Sequence, residues 1–124
     1  MKNTYAERRL PSEDVRLFRE VEAKLRRVRI DDSISCHVVA TAVRDVWPIL
    51  KMKSGRFMES WQHSWLMTPN DNIIDVYPIA CVGGPLLIDG QAGPFALFSQ
   101  IYVETQQAWI IEPVTLQSIV RQLT

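Results

Sequence analysis

Residues 62–78, QHSWLMTPNDNIIDVYP, restrict what this chain can fold into more than any other stretch. Thr68, Pro69, Asn70, Asp71 and Asn72 form an unbroken run of turn formers, which either set the backbone angle or bond back to it. Before them, His63, Trp65 and Met67 fall on one face of a strand, and Ser64 and Leu66 on the other. After them, Ile73, Ile74 and Val76 give residues 73–77 the β-branched bulk of a second strand, which carries Asp75. The stretch reads as a β-hairpin.

The register of that hairpin decides what it brings together. A turn centred on Pro69 sets His63 directly opposite Asp75, and a turn centred on Asn70 sets them one diagonal step apart. Both put the two side chains on one face. A slip of one residue would put them on opposite faces.

Two helices precede the hairpin. Residues 12–29 repeat Val15, Phe18, Val21, Leu25 and Val28 at helical spacing, with Ser12 as the expected cap and basic residues on the other faces. They predict a surface helix, and residues 1–10 a loose arm ahead of it. A second helix starts at a Ser33 or Ser35 cap and runs to about Trp47, ahead of Pro48. Its sequence, CHVVATAVRDVW, is apolar nearly all round, which predicts a buried helix with Cys36 in its first turn.

Residues 51–55 read as a basic, glycine-marked turn ahead of a strand over 55–61. Downstream, residues 82–85 read as a loop, 86–88 as a short strand, 95–102 as strand or short helix, and 109–111 as a last strand. Leu116, Ile119, Val120 and Leu123 predict a C-terminal helix over 113–123.

With 124 residues and no repeat or linker, one domain over 1–124 is expected, of α+β class: a buried, cysteine-bearing helix packed on an antiparallel sheet. Net charge is zero, so no global field argues for nucleic acid, although residues 1–29 carry +4 and residues 30–124 carry −4. No apolar run approaches the ~20 residues of a membrane span, and no secretory leader fits the polar N-terminus. Two cysteines are too few for a disulfide framework, and free thiols in a cytoplasmic protein are the expectation. No nucleic-acid or membrane partner is expected.

Cys36, His63 and Asp75 are the candidate site. A helix N-terminus favours a thiolate over a thiol. An imidazole can take the proton, and a carboxylate can orient the imidazole. Taken alone, Cys36 reads rather as a small buried core residue, and it is His63 and Asp75 following in order that turn the reading toward a nucleophile; His63 is also compatible with a hydrogen-bonded core histidine, and Asp75 with support for the turn. A metal site from Cys36, His63, Asp75 and Cys81 lacks ligand spacing, and Gly83-Gly84-Pro85 is no phosphate loop, so neither metal nor cofactor is expected. His37 and Cys81 read as structural or incidental, and Trp47, Trp61, Trp65 and Trp109 mostly as core.

A cysteine opening a buried helix, then His63-Ser64-Trp65 on a strand, a short turn and Ile74-Asp75, resembles the catalytic core of the transglutaminase-like family over about residues 33–78. That family lies within the papain-like cysteine peptidase superfamily. The resemblance implies a reduced papain-like core, with Cys36 as nucleophile, His63 as general base and acid, and Asp75 as orienting carboxylate. The Cys36 backbone N–H and the Gln62 side chain are the expected oxyanion donors. The expected function is thiol-dependent acyl transfer on a protein, peptide or small amide or thioester substrate. The alternative is a non-catalytic binding or regulatory module of the same fold, using the basic helix or the 82–94 loop.

Overall fold

The computed structural model describes residues 4–6, 9–58, 61–79, 82–90, 102–105 and 109–124. Among these, the order of elements is β1 (Thr4–Tyr5), α1 (Ser12–Leu25), α2 (Cys36–Val46), β2 (Lys51–Phe57), β3 (Trp61–Met67), β4 (Ile73–Asp75), β5 (Leu86–Ile88), β6 (Tyr102–Glu104) and α3 (Pro113–Leu123). The class is α+β, with α2 lying on β3 and β2 and against α3. The strands form one sheet in the order β1-β5-β4-β3-β2-β6. Five are antiparallel to their neighbours, and β1 joins the edge parallel to β5.

That edge corrects the expected loose arm. Thr4 and Tyr5 pair with Leu87 and Ile88, and Leu10 is buried in the core. In α1 the cap is Pro11 rather than Ser12, and no side chain caps the first turn. The helix stops at Leu25, short of 29, where Arg27 and Val28 bond back to the carbonyls of Lys24 and Leu25 in a tighter, three-residue closure. Phe18, Val21 and Leu25 face the core as their spacing requires.

Ser35 caps α2, its side chain accepting from the Val38 N–H, and residues 36–43 are all buried. Val39, Ala42 and Val43 pack with Leu66, Ile74, Val76 and Leu87 of the sheet. The opposite face holds a second cluster, Phe57, Trp65, Ile73, Val82, Ile88 and Tyr102. The helices therefore cover the Leu66/Ile74 face, and His63 and Asp75 belong to the other.

Two strand expectations differ from the structure. Residues 51–55 continue β2 rather than turning, and Gly55 is a point of close approach: a Cβ there would lie 2.0 Å from the Val103 carbonyl oxygen of β6. Residues 109–111 form no strand. Trp109 lies flat against the His37 ring instead. Of the remaining expectations, Cys81 and most of 95–102 fall outside the described residues.

Candidate functional site

The hairpin pairs Met67 with Ile73 and Leu66 with Ile74, so its turn is centred on Asn70 and its parity puts His63 and Asp75 on one face. Among the described residues the β3–β4 ladder holds these two pairs. From there β3 stays with β2 as far as Trp61, while β4 stays with β5 at Asp75. The two strands part beyond Leu66 and Ile74. Tyr77 crosses at this parting: its hydroxyl donates to the Ile34 carbonyl at 2.7 Å, just ahead of α2, and its ring packs with both core clusters.

The first residue of α2 meets the sheet at the same place. The Cys36 thiol lies 3.9 Å from the Gln62 carbonyl, which can accept its proton. A side chain from the helix-covered face thus reaches the backbone of the residue next to His63, whose own side chain belongs to the other face. The Gln62 side chain itself is exposed, and its backbone rather than its amide faces the sulfur, in contrast to the oxyanion role expected of it.

His63 is held from behind. Its Nε2 donates to Asp75 Oδ2 at 2.7 Å. The Tyr102 hydroxyl donates to the same oxygen at 2.7 Å, and the Tyr77 backbone N–H to Oδ1 at 3.2 Å. Asp75 is fully buried and His63 is 3 % exposed. The rings of Phe57, Trp65, Tyr77 and Tyr102 surround the imidazole, with centroids 5.1–6.3 Å away. With Nε2 committed to Asp75, Nδ1 is the ring nitrogen left for Cys36.

Thiol and imidazole favour each other's charged forms. Burial pushes the Cys36 thiol up, but hydrogen bonding and charge from His37 and His63 outweigh it and lower its pKa to about 6. Burial pulls His63 down, but its bonds to Asp75 and Cys36 and their charges raise it to about 9. Burial, then the charge of Cys36, raises Tyr77. Both shifts favour a thiolate beside an imidazolium over a neutral pair.

Sequence reasoning missed three neighbours. His37 read as structural, yet its Nε2 lies 3.7 Å from Cys36 Sγ. Trp109 stacks on that ring, and Tyr102 shares the Asp75 oxygen. Tyr102 and Trp109 come from segments far along the chain, and neither sits in a motif that points to the site. His37 had a signal in its adjacency to Cys36, but its direction was set by a partner on another strand, Ser64.

Among the described residues no cluster of three or more His, Cys, Asp or Glu is arranged to hold a metal, and no helix is long and apolar enough to cross a membrane. The basic side of α1 borders a separate cavity of about 530 Å³ lined in part by Arg9, Arg16 and Arg19. No family model, curated protein or solved structure matches the chain.

Proposed function

We propose that the protein is a thiol-dependent acyl-transfer enzyme acting on an amide or thioester carbonyl, with Cys36 as nucleophile, His63 as acid and base, and Asp75 as the carboxylate that orients His63. One observation carries this reading: the His63 imidazole is bonded at 2.7 Å to a fully buried carboxylate, Asp75, in a setting that lowers the Cys36 thiol despite its burial. Structural thiols in apolar surroundings move the other way. The similarity to the transglutaminase-like core is part of the same reading.

The Cys36 thiolate attacks the carbonyl carbon and a C–S bond forms. The His63 imidazolium gives its proton to the leaving amine or thiol as the substrate's own C–N or C–S bond to that group breaks, leaving the acyl group on Cys36. His63, now neutral, takes a proton from water or an acceptor amine, which attacks the thioester. The C–S bond then breaks, returning the thiolate beside a protonated His63. The Cys36 N–H, in the first turn of α2 where backbone donors lack an intrahelical acceptor, is suited to the oxyanion.

A second reading, a non-catalytic binding module, is favoured by the burial of the thiol, which is 7 % exposed. Two measurements separate them. Iodoacetamide alkylation of Cys36 followed against pH should inflect near 6, and His63→Ala should move the inflection upward by at least about one unit. Incubation with a small activated thioester should give an acyl adduct by intact mass spectrometry, absent from Cys36→Ser, which retains Cys81. A thiol titrating near ~8.5 in both proteins, with no adduct, excludes the enzyme.

A further inference from the structure

The mechanism above uses one imidazole, yet Cys36 faces two. His37 is the next residue on the same helix, and successive side chains on a helix diverge by ~100°. For its ring to return to within 3.7 Å of Sγ, something must hold it. Three contacts do so. Nδ1 lies 2.5 Å from Ser64 Oγ on β3, and Ser64 Oγ lies 2.8 Å from Ser54 Oγ on β2. The Trp109 indole stacks on the ring with centroids 3.5 Å apart and planes 16° from parallel. The centre of this chain is buried against α2, with His37 at 8 % exposure and Ser64 at 0 %, while Ser54 and Trp109 at its ends are half-buried.

Each hydroxyl has one proton to give and lone pairs to receive. If Ser54 donates to Ser64 and Ser64 donates to Nδ1, the ring proton sits on Nε2 and faces the sulfur. If the chain runs the other way, Nδ1–H donates to Ser64 and Nε2 presents a lone pair to the sulfur. A lone pair suits a thiol and repels a thiolate. Among the described residues, the other titratable group bearing on Cys36 is His63 of β3, backed by Asp75 of β4; Tyr77 feels the Cys36 charge, but its hydroxyl donates to the Ile34 carbonyl.

We propose that His37 is a second hydrogen-bond donor to the Cys36 thiolate, and that Ser64 and Ser54 are positioning residues that fix its Nε2–H tautomer. The inference rests on the acyl-transfer reading in that it requires a thiolate. Its consequence is specific to sulfur chemistry. A donor on sulfur lowers the thiolate's intrinsic nucleophilicity and makes it a better leaving group. His37 thus assists breakdown of the acyl-enzyme, while His63 serves both halves of the reaction.

The test is the alkylation profile of His37→Phe, which keeps a flat ring but has no donor, and of Ser64→Ala with iodoacetamide, beside wild type and His63→Ala. In His37→Phe the inflection should rise by about one pH unit, and the limiting rate on its alkaline side should increase about threefold, because a more basic thiolate is the stronger nucleophile. Ser64→Ala should shift both in the same direction by less. Ring nitrogen NMR of the wild-type protein should show His37 protonated at Nε2 and bare at Nδ1, a readout that needs no variant. A wild-type inflection and limiting rate in His37→Phe, or an Nδ1–H tautomer, overturns the proposal while leaving the His63 chemistry intact. A wild-type thiol of ordinary titration, unmoved by His63→Ala, overturns both.

Discussion

Asp14, in the first turn of α1, accepts a 2.7 Å hydrogen bond from the side chain of Asn72, 58 residues away. The Thr68 hydroxyl donates to the same carboxylate at 2.8 Å and the Asn70 amide at 3.0 Å. One buried side chain thus holds three residues of the β3–β4 turn, and that turn sets the register that puts His63 and Asp75 on one face. Asp14→Ala takes the shared acceptor from buried donors and should cost about 2–4 kcal/mol. Glu13→Ala, which removes an exposed contact to Asn70, should cost less than about 1 kcal/mol. Urea unfolding of the two variants measures the difference, and equal losses would show that Asp14 does not pin the turn.

Gly55 tests how β6 is held. A Cβ at this position would meet Val103 O at 2.0 Å and Thr105 N at 2.8 Å, both backbone atoms that cannot swing aside. Gly55→Ala should therefore force β6 off β2 and destabilise the protein by about 1–3 kcal/mol. Because β6 carries Tyr102, the variant should also loosen the bond to Asp75. Faster amide hydrogen exchange at residues 102–104 is the expected signature, and unchanged protection there would mean that β2 can absorb the methyl group.

The hairpin was legible because its signal is local: a period of two on each arm and five turn residues between. The buried character of α2 was legible for the same reason. Gly55 was misread because a glycine in isolation signals a turn, whereas this one makes room for a strand nearly fifty residues later in the chain. The partners of the Asp14 carboxylate lie far along the chain, and nothing near it in sequence announced Asn72. The face on which α2 packs was not legible either. Leu66 and Ile74 drew the helix to their side, and Cys36 meets His63 through the parting of β3 and β4, which alternation along one strand cannot reveal.

Asp75→Asn keeps the shape of the side chain and removes its charge. The amide keeps a single oxygen, so it can accept from the Tyr102 hydroxyl or from the Tyr77 N–H but not from both as the carboxylate does, and a stability loss of about 1–3 kcal/mol should accompany the loss of reactivity. His63 loses the charged partner that raises it, and its pKa should fall back toward the ordinary histidine value. Acyl transfer from a small thioester should drop on the order of 10²-fold or more. Turnover at the wild-type rate in a folded Asp75→Asn protein would remove Asp75 from the chemistry.

The charge pair also predicts an unusual pH dependence of stability. His63 is raised from 6.5 to about 9, so its contribution is complete below pH 6.5 and is lost as pH rises through about 9. Cys36 is lowered from 9.0 to about 6, so its contribution is complete above pH 9.0 and is lost as pH falls through about 6. Between pH 6.5 and 9 the folded thiolate–imidazolium pair and the unfolded thiol–imidazole pair each hold one proton. The two slopes cancel, and the pair adds none to the wild-type curve. Cys36→Ser removes one side of the cancellation. Asp75 alone still holds His63 up in this variant, though less far without Cys36, so its stability relative to wild type should fall as pH rises above 6.5, by up to about 1.4 kcal/mol per pH unit over the part of the range that Asp75 maintains. Urea unfolding of both proteins at pH 6.5, 7.5 and 8.5 measures this, and a variant whose stability rises relative to wild type over that range would contradict the thiolate–imidazolium pair.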